Sequence, residues 1–230
     1  MKAFFNKKIS LLLFIALLGI TIFSADLLIS AQDSSPSSSV EAQTSQPRKD
    51  SSVPAVQPNS PPVQKESSQA LTYYEQGLKL YYQRNFSQAL SLFDKALILD
   101  PNCYQALNGK GAAYAFQGRY SEGLNLIREA LRIKPDFEYG CFNLGLANEL
   151  AGNWTAAVSA YQTALSYDSR DAWAYYGIAS IYGRQGNADQ TVFYLKQAIA
   201  IEPDAKETAK TEHDFDPVRS SSKFQALFNN

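Results

Sequence analysis

The sequence predicts an all-α fold, a solenoid of stacked helix-turn-helix units. Three observations carry that prediction. Ala96-Leu97, Ala130-Leu131, Ala164-Leu165 and Ala198-Ile199 recur at intervals of 34 residues, and Pro101, Pro135 and Pro203 follow three of them at a fixed distance, with Ser169 in the fourth slot. A small residue, Gly77, Gly111, Gly145 or Ala179, recurs at one phase. Gly118, Gly152 and Gly186, with Arg84 as the odd member, recur at another. A unit of this length cannot bury its own apolar face, so the units must stack, and stacked helical units present a long concave surface.

The chain opens with Met1-Lys-Ala-Phe-Phe-Asn-Lys-Lys8 and an uncharged apolar run from Ile9 to Phe23. A basic start and an apolar centre are the layout of a secretory signal. Extended to Ile29, the run is also long enough for a membrane anchor, with Asp26 near one end. Residues 1–31 are therefore read as a signal peptide or an N-terminal anchor, with 9–29 as the membrane-contacting part if uncleaved. Either reading places the repeats outside the cytoplasm, in the periplasm or another extracytoplasmic space, because the lysines hold the N-terminus inside. Residues 32–69, rich in Ser, Pro and Gln and without an aromatic residue, cannot bury enough apolar surface to order themselves. They are expected to be a disordered linker with an average span of about 30–40 Å.

Four repeat units follow, at 70–103, 104–137, 138–171 and 172–205. The first helix is expected over about Leu71 to Gln83. A glycine inside a helix costs up to about 1 kcal/mol relative to alanine, so the Gly77 slot marks a close approach of the partner helix. The glycines at 118, 152 and 186 suit a left-handed residue that ends a helix. Three residues beyond that slot come Ser87, Ser121, Thr155 and Asp189, which are expected to cap the second helices. Ala89, Leu90, Phe93, Ala96 and Leu97 give the second helix of the first unit an apolar face. Residues 206–230 should close the stack as a cap, with a helix over about Ala205 to Glu212 and with Phe215, Val218, Phe224, Leu227 and Phe228 as its apolar cover.

These slots resemble those of the tetratricopeptide repeat (TPR) family. Tyr73, Gly77, Leu80, Ala89, Phe93, Ala96 and Pro101 fill its pattern in the first unit. Leu107, Gly111, Tyr114, Ile127, Ala130 and Pro135 do so in the second, where Gly123 replaces an alanine. Leu144-Gly145, Ala157, Tyr161 and Ala164 match in the third, where Asn148 and Ser169 depart. Tyr175, Ala179, Tyr182, Leu195, Ala198 and Pro203 match in the fourth, where Thr191 departs. The resemblance implies that the first helix of each unit lines the concave groove. Its inward residues would then be Tyr74, Leu78, Tyr81 and Tyr82 in the first unit, Asn108 and Phe116 in the second, Tyr139 and Phe142 in the third, and Trp173, Tyr176 and Arg184 in the fourth. Tyrosine and tryptophan are favoured anchors at protein interfaces. The Lys, Asn and Arg set with which some TPR co-chaperones grip a carboxylate tail is missing, because Tyr74, Leu78, Asn108, Tyr139 and Phe142 hold those slots. The groove should therefore prefer an apolar or aromatic segment, such as an amphipathic helix.

The implied function is that of an exported interaction module that docks another protein and assists assembly of a membrane-associated complex. The alternative is a self-associating structural component of the cell envelope. Nucleic-acid binding does not fit: the net charge of −1 becomes −3 once Lys2, Lys7, Lys8 and Asp26 of the leader are set aside, and no basic block appears. Catalysis does not fit either. His213 is the only histidine and stands in the polar tail, and the sequence has no nucleophile–base pair, phosphate loop or metal-ligand spacing. No cofactor or metal is implied. Cys103 and Cys141 are expected to be free, since units stack about 10 Å apart and a disulfide needs Cα atoms within about 7 Å.

Overall fold

The computed structural model describes residues 63–229. The leader and most of the linker lie outside these residues. Eight helices form four antiparallel pairs: α1 Val63–Tyr82 with α2 Phe86–Leu99, α3 Tyr104–Phe116 with α4 Tyr120–Ile133, α5 Glu138–Leu150 with α6 Trp154–Tyr167, and α7 Ala172–Arg184 with α8 Ala188–Ile201. No strand is present among the described residues. The inner helices α1, α3, α5 and α7 pack in sequence on one another, and each outer helix packs on the inner helix that follows it. The array is a helical solenoid, as the period requires.

The small-residue slot is a point of close approach. A β-carbon on Gly77 would stand 2.8 Å from the Phe93 ring, and one on Gly145 would stand 2.6 Å from the Tyr161 ring. Each ring also presses on the next inner helix, at Gly109 and Gly177 respectively. An outer-helix aromatic is thus wedged between glycines of two successive inner helices, and it fixes both the pairing within a unit and the stacking of the next one. In the second unit the contact is backbone to backbone: a β-carbon on Gly111 would lie 2.7 Å from the Gly123 carbonyl oxygen.

The turns between paired helices depart from the expected capping. Gly118, Gly152 and Gly186 have φ of +79°, +76° and +72°, and Arg84 takes the same left-handed conformation at φ 63°. The amide one residue further on bonds back to the carbonyl five residues before it: Asn85 to Leu80, Arg119 to Tyr114, Asn153 to Asn148 and Asn187 to Tyr182, at 2.8–3.0 Å. This is the Schellman arrangement. It brings Asn85, Arg119, Asn153 and Asn187 to the caps, so the outer helices resume at once with Phe86, Tyr120, Trp154 and Ala188. Ser87, Ser121, Thr155 and Asp189 therefore lie inside the first turn and are not caps. Of the four cap side chains only Asn187 accepts a backbone amide, that of Gln190 at 3.1 Å.

The first helix also starts earlier than Leu71. The linker's prolines end at Pro62, and no proline or glycine follows until Gly77, so nothing interrupts helix formation from Val63. The end of the chain keeps the repeat phase: α9 Asp204–Thr211, a 3₁₀ helix His213–Val218 and α10 Ser222–Gln225. Ser222 begins α10 where the period would start a fifth outer helix. Phe215, Val218 and Phe224 are buried, and the 3₁₀ helix packs on α7 while α9 and α10 pack on α8. The tail is a degenerate fifth unit that covers the last face. Cys103 and Cys141 are buried free thiols, and no helix of the described residues is long and apolar enough to cross a membrane.

Candidate interaction surfaces

On α1 the residues Tyr74, Leu78 and Tyr82 follow one another at helical spacing, and on α3 so do Asn108, Ala112 and Phe116. The structure packs much of this inner face against itself. Tyr81, Asn108, Tyr139, Phe142, Trp173 and Tyr176 are all buried, with 5% exposure or less. Tyr74, Leu78, Tyr82, Phe116 and Arg184 are half-buried and form what the face presents. The aromatic lining is continuous. Tyr81 meets Tyr82, Phe86 and Phe116 edge-on at 5.5, 5.7 and 5.9 Å, and Phe86 stacks on Phe116 at 5.7 Å. Tyr82 reaches across to Tyr139, their hydroxyls 2.9 Å apart, and Tyr139 stacks on Phe142. Burial pushes the hydroxyls of Tyr74, Tyr82 and Tyr139 above their ordinary range. They are neutral hydrogen-bonding groups here, not acids or bases.

Several buried polar atoms of this inner face have no hydrogen bond among the described residues, among them the Tyr81 hydroxyl, both polar atoms of the Asn108 amide and the Tyr176 hydroxyl. Such groups typically cost about 1–3 kcal/mol each until something satisfies them.

The face changes character in the third and fourth units. Glu149 is buried and takes an ion pair from the Arg184 guanidinium and a 2.7 Å hydrogen bond from the Tyr161 hydroxyl. Ser180 donates to the Asp214 carboxylate of the tail, which also faces Arg184 at 3.5 Å. Phe215 meets Tyr176 edge-on at 5.7 Å. The tail thus occupies the inner face of α7, where Tyr176 and Arg184 meet it and Trp173 packs on Tyr176 at 5.4 Å. Burial pushes the Glu212 carboxyl up to about 7, with Asp214 acting in the same direction. His213 sits on the exposed side of this turn, 2.9 Å from Asp216.

A second surface escaped the sequence reading. Between α6 and the end of α7 lies an open cleft of about 330 Å³, lined by Trp154, Thr155, Val158, Ser159, Gln162, Tyr182 and Gln185. Tyr182 stacks on Tyr194 at 5.8 Å, and Tyr194 meets the exposed Phe193 edge-on at 5.1 Å. One signal was legible: Phe193 stands where the other units have Ser91, Asn125 and Ser159.

The fold is that of a helical-repeat protein with a continuous aromatic inner face. Models of the tetratricopeptide repeat match residues 74–136 and 174–205, and a TPR repeat model matches 150–186. The chain is 32% identical over 157 residues to the photosystem I assembly protein Ycf3 of Cyanophora paradoxa, covering 62% of this chain and 73% of that one. It belongs to the TPR family. Among solved structures it is similar to MamA, with TM-score 0.54, 22% identity and coverage of 69% of this chain and 87% of that one. It is also similar to YrrB, described as a TPR protein with an unusual peptide-binding site, with TM-score 0.50, 20% identity and coverage of 73% and 89%. These two likenesses concern the fold. TPR proteins are generally adaptors in protein interaction and assembly and typically not enzymes.

Proposed function

We propose that this protein is an assembly adaptor that holds an apolar or aromatic segment of another protein along the inner face of its first three units. The observation that carries the reading is the continuous aromatic lining of a face whose half-buried members are Tyr74, Leu78, Tyr82 and Phe116. A bound segment would lay apolar or aromatic side chains on these half-buried members. The buried residues of the predicted groove shape this floor, and the half-buried ones make contact. The fourth unit, covered by the tail, contributes less.

The likeness to an assembly protein supports a role in building a multi-protein complex, and the layout of residues 1–31 supports an extracytoplasmic, membrane-associated place for it. The test is capture from membrane extract with the tagged full chain beside a Leu78→Glu, Phe116→Ser variant of matching helicity. A specific partner retained by the parent and lost by the variant supports the reading. Equal retention by both overturns the assignment to the inner face. A full chain recovered only from the cytoplasmic fraction overturns the placement.

A further inference from the structure

The outer cleft is chemically unlike the rest of the convex surface. Helix α6, which forms one wall, carries no charged residue in fourteen, whereas the other three outer helices carry both signs or a mixture of charges. The wall opposite is Tyr182, and the aromatic run continues through Tyr194 to Phe193, which is 55% exposed. Trp154, at 36% exposure, also lines the cleft. The amide side chains of Gln162 and Gln185 line the cleft, and that of Gln162 also donates to the Tyr194 hydroxyl at 3.5 Å. An uncharged aromatic lining that includes amide donors suits a proline-rich segment. Its rings stack on aromatic faces, and its carbonyls, free of intrachain bonds, accept from side-chain N–H groups.

The sequence supplies such a segment. Ser51–Pro62 reads Ser-Ser-Val-Pro-Ala-Val-Gln-Pro-Asn-Ser-Pro-Pro, with four prolines in twelve residues and no charge, matching the uncharged cleft. It cannot serve its own cleft. Pro62 is bonded to Val63, the first residue of α1, a 20-residue helix of about 30 Å. The cleft lies two units away, level with the opposite end of the inner helices. The geometry therefore points to a head-to-tail contact in which residues 51–62 of a second copy of this chain occupy the cleft lined by Trp154, Gln162, Tyr182 and Gln185. The contact is heterologous, so successive copies can add to one another. It uses the outer surface and is independent of the inner-face reading.

The chain has two tryptophans, and Trp173 is buried at 1% exposure, so an emission change on titration reports Trp154. The experiment titrates a synthetic Ser51–Pro62 peptide into the full chain in mild detergent, beside the same peptide with its four prolines replaced by serine. In parallel, the mass of the full chain is followed against concentration by sedimentation. The expected result is a saturable blue shift with the native peptide and at least tenfold weaker binding of the serine peptide. Mass should rise with concentration, and a Trp154→Ser variant of unchanged helicity should lose that rise. Equal response to both peptides, a concentration-independent monomer, or quenching of Trp154 by a brominated detergent without any peptide response would overturn the proposal. The last outcome would make the cleft a site for acyl chains.

Discussion

The hydroxyls of Tyr82 and Tyr139 lie 2.9 Å apart although the residues are 57 positions apart and stand on inner helices two units from each other. They meet across α3, the inner helix that lies between them in the stack. The contact is a strut across the concave face of the first three units. A net hydrogen bond is worth about 1 kcal/mol, so Tyr82→Phe and Tyr139→Phe should each cost roughly that amount. The double variant should cost measurably less than the two together, since both single changes remove one shared bond. Chemical denaturation of the four proteins checks this. Strict additivity would show that the two rings are held by packing alone.

Gly111 and Gly123 form the tightest backbone approach, and each blocks a side chain on the other: a β-carbon would stand 2.7 Å from a carbonyl oxygen in one direction and 2.6 Å in the other. A carbonyl cannot swing aside as a flexible side chain can. Gly111→Ala should therefore cost at least 2–3 kcal/mol, at the upper end of overpacking effects. Gly118→Ala meets no atom within 4 Å and suffers only its left-handed φ, a cost of about 1–2 kcal/mol. The order of the two midpoints in urea is the readout. A larger loss at Gly118 would contradict the close approach.

Much of this fold was legible because its landmarks repeat at one interval, and a slot filled four times with glycine or alanine has few explanations. The caps were misread by two residues because Ser87, Ser121, Thr155 and Asp189 have suitable side chains, while the turn is set by the backbone bond from the residue after the left-handed position. The inner face was legible as a list of residues but not as a surface. Helical phase puts Tyr81 and Phe142 on the correct helices, yet their burial depends on what faces them, such as Phe116 for Tyr81 and Tyr161 for Phe142. Pairings that do not follow the 34-residue interval, Tyr82 with Tyr139 and Glu149 with Arg184, left no mark in the pattern.

Asp171 shows what a working cap looks like in this array. Its carboxylate accepts the amides of Trp173 at 3.0 Å and Ala174 at 3.3 Å and is itself buried. Asp171→Ala should cost about 1 kcal/mol or somewhat more. Ser87→Ala and Ser121→Ala, both exposed in the first turn of their helices, should stay within about 0.5 kcal/mol of the parent. Thermal melts of the three variants separate these expectations, and a loss at Ser87 as large as that at Asp171 would return the cap to the serine.

The buried carboxyl of Glu212 gives the tail a definite response to pH. The unfolded chain releases this proton near the ordinary value of 4.5, while burial makes the folded chain hold it until about 7. Between those values the folded state binds more protons than the unfolded state, so stability falls as pH rises and levels off above about 7. Glu149, also raised by burial, acts in the same direction despite its pairing with Arg184. The exposed carboxylates lowered by their partners, Glu122, Asp136 and Asp216, act oppositely and only below the ordinary carboxylate range, outside this window. Melting temperature measured from pH 4.5 to 8 should therefore decline and then flatten. Glu212→Gln, which keeps the shape of the protonated side chain but cannot ionise, should show a shallower decline and should melt above the parent at pH 8. A parent whose stability rises across that interval, or a variant that is less stable than the parent at pH 8, would mean that Glu212 is ionised and satisfied in the folded tail.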